Sequence, residues 1–439
     1  MKTNLLTLFF LMLSVTVYAQ DKTRMIVTTD IGGSDPDDIQ SLVHLMVMLN
    51  DVDLEGIISQ HAWVPLGNGA ADVIESIICA YEKALPNLII HDKRYPDANA
   101  VRQIVKTGQP KAAMACVGKG KDSDGSEWII DMVDKEDSRP LWIAAWSGMN
   151  TLAQALWKVS HTRSPKEVEK FVSKLRVYDI LGQDDAGAWI AKHFPNLVYI
   201  RNTAVYGWPK DDGWYRKNVQ EIGPLGKVYA NRIWATEGDT PSFLYCIENG
   251  LNNPEHIDYG GWGGRFSTTK KANIEGMDWV KRNGLDEMQY APYLMYGPSE
   301  EGNKAITQWA EDIHNDFKAR MLWTTADDYS KANHHPVAII KNDRSRKTLN
   351  IKAKAGKDLT LDAGKSFDPD GDSLKYEWQF YKEPSSYKGD LNIFGKNHSS
   401  SQISIPYEAR GTTIHIILKV EDKAPVSLCS YRRIIITVK

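Results

Sequence analysis

Residues 30–38, Asp-Ile-Gly-Gly-Ser-Asp-Pro-Asp-Asp, place four carboxylates within nine positions: Asp30, Asp35, Asp37 and Asp38. Like charges this close repel or raise one another's pKa, and they are tolerated where a cation neutralises them or solvent surrounds them. The chemistry such a group offers is metal binding or general acid/base work. The flanks argue against a solvated loop, because the apolar run Met25-Ile26-Val27 precedes the cluster and a helix-like Ile39-Gln40-Ser41-Leu42-Val43 follows it. A buried strand that ends in a glycine turn and feeds a helix is how open α/β sheets build sites at their carboxyl edges. The bland alternative is that Asp37 or Asp38 caps the helix, which explains one carboxylate and not four.

The elements needed to hold that loop are legible as alternating apolar and amphipathic runs. Buried strands are predicted at Met25–Thr29, Leu54–Ser59, Leu141–Ala145, Leu175–Ile180 and Leu197–Ile200. Helical spacing falls between them at Asp37–Leu49, Ala70–Glu82, Trp128–Lys135, Thr151–Val159 and Ala186–His193. This rhythm predicts an α/β fold, a mostly parallel sheet with helices on both faces, and ligands beyond the strand carboxyl ends. After Asn333-His334-His335-Pro336 the helical period vanishes. Short alternating runs at Leu349–Ala353, Asp358–Asp362, Leu374–Tyr381, Gln402–Ile405, Thr413–Val420 and Arg433–Val438 predict an immunoglobulin-like β-sandwich of about 100 residues.

Residues 1–20 read as a cleaved leader: Lys2, then the apolar Leu5–Val17, then Val17-Tyr18-Ala19. The expected organisation is therefore a signal peptide at 1–20, an α/β domain at 21–332 and a sandwich at 333–439, in a secreted or periplasmic protein. No cysteine follows the leader directly and no later run approaches ~20 apolar residues, so neither a lipid anchor nor a transmembrane segment is expected. The 439 residues carry a formal charge of −3 and a pI near 6.4, which gives no electrostatic reason to bind nucleic acid. Cys79, Cys116, Cys246 and Cys429 are scattered without a CxxC pair and read as free thiols. Oligomeric state is not legible.

On the residues Thr28-Thr29-Asp30-Ile31-Gly32-Gly33 to Asp37-Asp38, the chain resembles the inosine-uridine nucleoside hydrolases, and within them a secreted branch described as cellulose-binding that carries a C-terminal sandwich. The resemblance implies one Ca2+, held by Asp30 and Asp38, by Asp239 in the segment Trp234–Leu244, and by a backbone carbonyl from Met149 or Asn150 in Trp142–Ala153, with Met149 taken as the donor. It implies Asp30 as the base that activates water and Asp37 as the group gripping sugar hydroxyls. Ca2+ wants six to eight oxygens and acidifies its water only modestly, so a neighbouring carboxylate is needed. Two departures stand out. Gly238 occupies the place of the family's base-protonating histidine, with Glu237 as a candidate replacement, and no Glu-Phe-Asn trio follows Leu175–Ile180. There, Asp179, Gln183 and Asp184 are available for a sugar, although Asp184 and Asp185 also suit a helix start. Gln60, His61 and Trp63 lie where the family uses an asparagine for ribose.

Tyr259-Gly260-Gly261-Trp262-Gly263-Gly264-Arg265-Phe266 reads as a loop closing on a ligand, with Trp262 as a platform and Arg265 as a donor. In the tail, Phe367-Asp368-Pro369-Asp370-Gly371-Asp372 with Trp378 resembles a polycystic-kidney-disease-type sandwich, with Trp378 as core anchor and the three aspartates as either a solvated turn or a calcium loop. These readings lead to an exported Ca2+-dependent glycosidase acting on an N- or O-glycosidic bond. The alternatives are a carbohydrate-binding protein without turnover and a nucleoside hydrolase proper.

Overall fold

The computed structural model describes residues 22–60 and 70–439. The leader, His61 and Trp63 lie outside the described residues. Strands β1 (Thr23–Thr29), β2 (Val52–Ser59), β3 (Val105–Thr107), β4 (Leu141–Ala145), β5 (Leu175–Ile180) and β6 (Val198–Asn202) form one sheet in the order β3-β2-β1-β4-β5-β6. Every neighbouring pair in it is parallel. Alternation assigns side chains to two cores. Met25 and Val27 of β1, Trp142 and Ala144 of β4, and Tyr178 and Ile180 of β5 point to one face. Ile26, Ile143 and Val177 point to the other. Helices Asp37–Met46, Ala70–His91, Thr240–Cys246 and Ala310–Trp323 cover the first face, and Asp124–Asp134, Asn150–Thr162 and Ala186–His193 the second.

The sheet order reverses between β1 and β4, so the crevice beyond their carboxyl ends is where such a sheet binds ligands. The short strand β3 was too brief to predict. The helix from Ala70 runs on to His91 through Pro86 because Ala84 and Leu88 continue its buried stripe past Glu82.

A two-stranded ribbon, β7 (Lys271–Ala272) and β8 (Leu294–Met295), precedes the tail. The tail is all-β: β9 (Leu349–Ala353), β10 (Asp358–Asp362), β11 (Leu374–Tyr381), β12 (Asn392–Phe394), β13 (Ser400–Ser404), β14 (Thr413–Asp422) and β15 (Cys429–Val438). Its sheets run β11-β14-β15-β9 and β10-β13-β12. Trp378 is buried between them and donates its indole N–H to the His398 carbonyl at 2.9 Å. The outward face of the larger sheet is also covered, since Tyr381, Ile417 and Tyr431 join the same core as Trp262 and Trp309. All four cysteines are free, and no helix among the described residues is long and apolar enough to cross a membrane.

Candidate functional site

β1 stops at Thr29, and the chain turns on Gly32, whose φ of +88° favours glycine. The Gly33 amide donates to the Asp30 carbonyl at 2.9 Å. The next helix starts at Asp37 behind the N-cap residue Pro36, so Asp37 and Asp38 occupy its positive first turn, where the backbone amides of Asp37 and Asp38 bond to the Asp37 carboxylate. Asp38 is instead clamped from below by the Thr29 hydroxyl, which donates to its Oδ1. Asp239 arrives from the far side of the sequence, immediately before the helix Thr240–Cys246. Thr240 Oγ1 donates to Ser41 Oγ at 3.0 Å and ties the two helix starts together.

One ligand oxygen each from Asp37, Asp38 and Asp239 lies within 4.8 Å of the others. Asp30 and Asp35 join them along a cavity of about 520 Å3. Among the described residues no lysine, arginine or histidine forms an ion pair with any of the five, and the buried Oδ2 of Asp239 has no hydrogen-bond partner. The electrostatic consequence is large. Burial pushes the Asp30 and Asp37 carboxyls up to about 7, with Asp35 adding repulsion to both. Burial, reinforced by the neighbouring carboxylates, lifts Asp38 and Asp239 well above the usual range. Asp38 and Asp239 are buried and Asp30, Asp35 and Asp37 half-buried, and a set of acids so placed without an ion pair is a poor structural element and a good oxygen cage. Two oxygens on opposite sides of a Ca2+ ion stand about 4.8 Å apart at its usual ~2.4 Å bond length, so the three aspartates are close enough to share one divalent cation of that size or smaller.

The remaining expectations divide. Gln183 lines the cavity and is held by its own donation to the Trp146 carbonyl at 2.8 Å. Asp179 does not line it. Its carboxylate is fully buried in a pair with Arg201 at 2.8 Å and accepts from the Tyr199 hydroxyl at 2.7 Å. Asp184 is likewise turned inward, accepting from the amides of Met149 (3.0 Å) and Ala186 (3.1 Å), which is the helix-start alternative. Met149 is buried away from the cavity, with its carbonyl accepting the Ala153 amide that opens the next helix. Glu237 is no pocket acid either, because it is buried behind the site between His44 Nδ1 (2.8 Å) and the Tyr229 hydroxyl (2.9 Å).

The glycine-rich loop serves packing. Trp262 is 3 % exposed and packs edge-on to Tyr431, and Arg265 is taken up by Glu301. In the tail, Asp370 accepts from the amide and ring of His334, and Asp368 Oδ1 caps its own turn through the amides of Asp370 and Asp372. Sequence reading left unassigned Asp35, Tyr206, Trp234, Trp279 and Arg282, all of which line the cavity. Asp35 was signalled by its place in the acidic run, without a role of its own, and Trp234 by its position at the start of the segment that carries Asp239.

The family model "Cellulose-binding Sde182, nucleoside hydrolase-like domain" matches residues 24–266, more than half of the chain. The chain belongs to this family. The model for the C-terminal domain of the cellulose-binding protein Sde0182 matches residues 358–438. A solved relative, a nucleoside hydrolase-related hypothetical protein from Saccharophagus degradans associated with carbohydrate metabolism, is 45 % identical. That likeness covers 95 % of this chain and all of the other, with a TM-score of 0.90. Two further structures carry no argument: the PKD domain from KIAA 1837 protein (17 % identity, 21 % of this chain and 81 % of that one, TM-score 0.17) and the effector protein XOO4466 (9 %, 71 % and 94 %, TM-score 0.37). No curated protein matches the sequence. The family membership accounts for the parallel sheet and the all-β tail together.

Proposed function

We propose that this chain is an exported hydrolase of a carbohydrate glycosidic bond that works with a calcium ion held by Asp38, Asp239 and either Asp37 or Asp30. The observation carrying this reading is the convergence of carboxylates from the loop after β1, from the following helix start and from the Asp239 turn in one cavity, none of them in an ion pair among the described residues. A cation bound there supplies charge compensation and a more acidic water. Asp30, at the strand end, accepts the proton of the attacking water, and its raised affinity for protons suits a base working near neutrality. Asp37, facing the same space, accepts hydrogen bonds from sugar hydroxyls and holds the ring over Asp30.

The leaving group receives no side-chain proton from position 238. A Cβ built on Gly238 would stand 2.6 Å from Asp37 Oδ2, so any larger residue there displaces the sugar-gripping carboxylate. The glycine therefore belongs to the way Asp37 is seated, and it weighs against purine nucleosides, whose departure benefits from protonation. The same observation favours a second reading, in which the cavity binds carbohydrate without turning it over.

The two are separated by incubating the calcium-loaded protein with 4-nitrophenyl glycosides, cello-oligosaccharides, inosine and uridine. The hydrolase reading expects glycoside cleavage that EDTA abolishes and that Asp30→Asn lowers by roughly a hundredfold or more. Carbohydrate binding that persists with no cleavage in any condition establishes the second reading. Release of free base from inosine or uridine in place of glycoside cleavage refutes both.

A further inference from the structure

Trp234 is the only tryptophan among the described residues that is exposed, at 68 %, and it stands on the lip of the acidic cavity. Tyr206, 45 % exposed, lines the same cavity. Leaving so large an apolar surface in water is unfavourable unless something covers it in use. The ring is also not on a loose tether, because Asp35 Oδ2 accepts the amide of the adjacent Ala235 at 3.3 Å. That bond joins the opening acidic loop to the Trp234 segment across 200 positions of sequence. Asp35 lines the cavity, and the other oxygen of its carboxylate, Oδ1, has no hydrogen-bond partner among the described residues.

We propose that Trp234 and Asp35 form a saccharide subsite at the cavity mouth, which accommodates a sugar unit beyond the one gripped by Asp37. A pyranose ring has an apolar C–H face and an edge of hydroxyl donors. An aromatic platform beside an acceptor-only carboxylate matches both. The occupant is a neutral sugar, since a phosphate or uronic carboxylate placed against the Asp35 carboxylate meets like charge, and a nucleobase edge rich in acceptors finds no donor on it. The substrate class is therefore a neutral oligosaccharide of two or more units. This rests on the carbohydrate reading of the cavity, and adds which residues measure chain length.

The test uses the full chain carrying Asp30→Asn, so that binding is read without turnover, titrated calorimetrically with glucose, cellobiose and cellotetraose in calcium buffer. Cellotetraose is expected to bind more tightly than glucose. Trp234→Ala is expected to weaken cellotetraose about tenfold or more while leaving glucose unchanged. Asp35→Asn, which keeps the shape and removes the charge, is expected to weaken it several-fold. Tyr407→Ala, at an exposed aromatic on the sandwich, is expected to change nothing. Equal cellotetraose affinity in the parent, Trp234→Ala and Asp35→Asn proteins overturns the proposal, as does a loss confined to Tyr407→Ala or an absence of cellotetraose binding by the parent. The outcome is independent of hydrolysis: a Trp234-dependent affinity in a protein that never cleaves keeps the subsite and removes the enzyme reading.

Discussion

The proposed calcium site in the acidic cavity predicts proton-linked metal binding, and the size of the linkage follows from the raised proton affinity of the aspartates. Asp30 and Asp37 are raised from an ordinary 3.8 to about 7. A carboxyl with a raised folded-state value holds its proton longer when folded than when unfolded. The metal-free protein is thus favoured below the folded value and loses that stability as the pH climbs from about 4 through 7. A cation reverses this, because it binds the ionised form. At pH 5, two units below the folded value, each ion bound must displace at least one proton. Two units at ~1.36 kcal/mol each come to about 2.7 kcal/mol, roughly a hundredfold loss of affinity relative to pH 8 and above. With an unfolding entropy of ~2.1 cal/mol/K per residue over about 400 residues, that corresponds to ~3 °C in Tm. The assay is differential scanning calorimetry in 1 mM calcium and in EDTA at pH 5, 6, 7 and 8, and the quantity read is the difference between the two buffers. Buried neutral histidines such as His314, held down to about 4 by burial, destabilise the fold below pH 6.5 in both buffers alike and cancel. The calcium-minus-EDTA difference is expected to be largest at pH 8 and smaller by about 3 °C at pH 5. A difference of zero at every pH, or one that grows toward acid, refutes the reasoning.

Two other outcomes follow from the same geometry. Gly238→Ala is expected to fold normally, since the backbone there is not in the left-handed region, yet to lower calcium affinity about tenfold by pushing on Asp37 Oδ2, which a calcium titration followed by calorimetry reads directly. Arg201→Ala strands the buried Asp179 and Glu287 carboxylates it now neutralises, and is expected to destabilise by roughly 3–5 kcal/mol in urea unfolding while leaving the calcium-minus-EDTA difference unchanged.

The acidic loop was readable because it combines a local pattern with a strand end: a β-branched run, a glycine turn and an acid pair that opens a helix all lie within a dozen residues. The limits of β9 and β10 were equally plain, since their polar and apolar alternation is uninterrupted. What misled were residues whose partners lie far off in sequence. Asp179 sits near the carboxyl end of its strand and suggests a ligand, but its cross-strand neighbour is Arg201, and no local pattern reveals that register. The glycines around Trp262 suggest close approach, and there is one, but to protein. A Cβ on Gly263 would lie 2.3 Å from Tyr245 Cβ, and one on Gly261 would meet Asn252 Oδ1. Glycine density tells that something comes near without telling what. Trp234 escaped notice because exposure cannot be read from a single tryptophan in a polar segment.

The β-sandwich bears on the site more directly than a tethered module would. Its strand β14 carries the run Ile-His-Ile-Ile-Leu from 414 to 418, apolar on both faces where a solvated sheet alternates, and the two faces go to different cores: Ile414, Ile416 and Leu418 inward, Ile417 toward the α/β domain. On β15, buried Arg433 donates to the carbonyls of Leu251 and Gly260 at 2.9 and 2.8 Å, and Tyr431 closes over Trp262 and Trp309. Those carbonyls belong to the loop that leaves the helix Thr240–Cys246, and Gly263 of the same loop packs on Tyr245 of that helix. Asp239 is the residue that opens this helix. The sandwich therefore braces the element that presents the last of the clustered carboxylates, which gives a physical reason for an acidic cavity on one domain to travel with an all-β domain that contributes none of its lining.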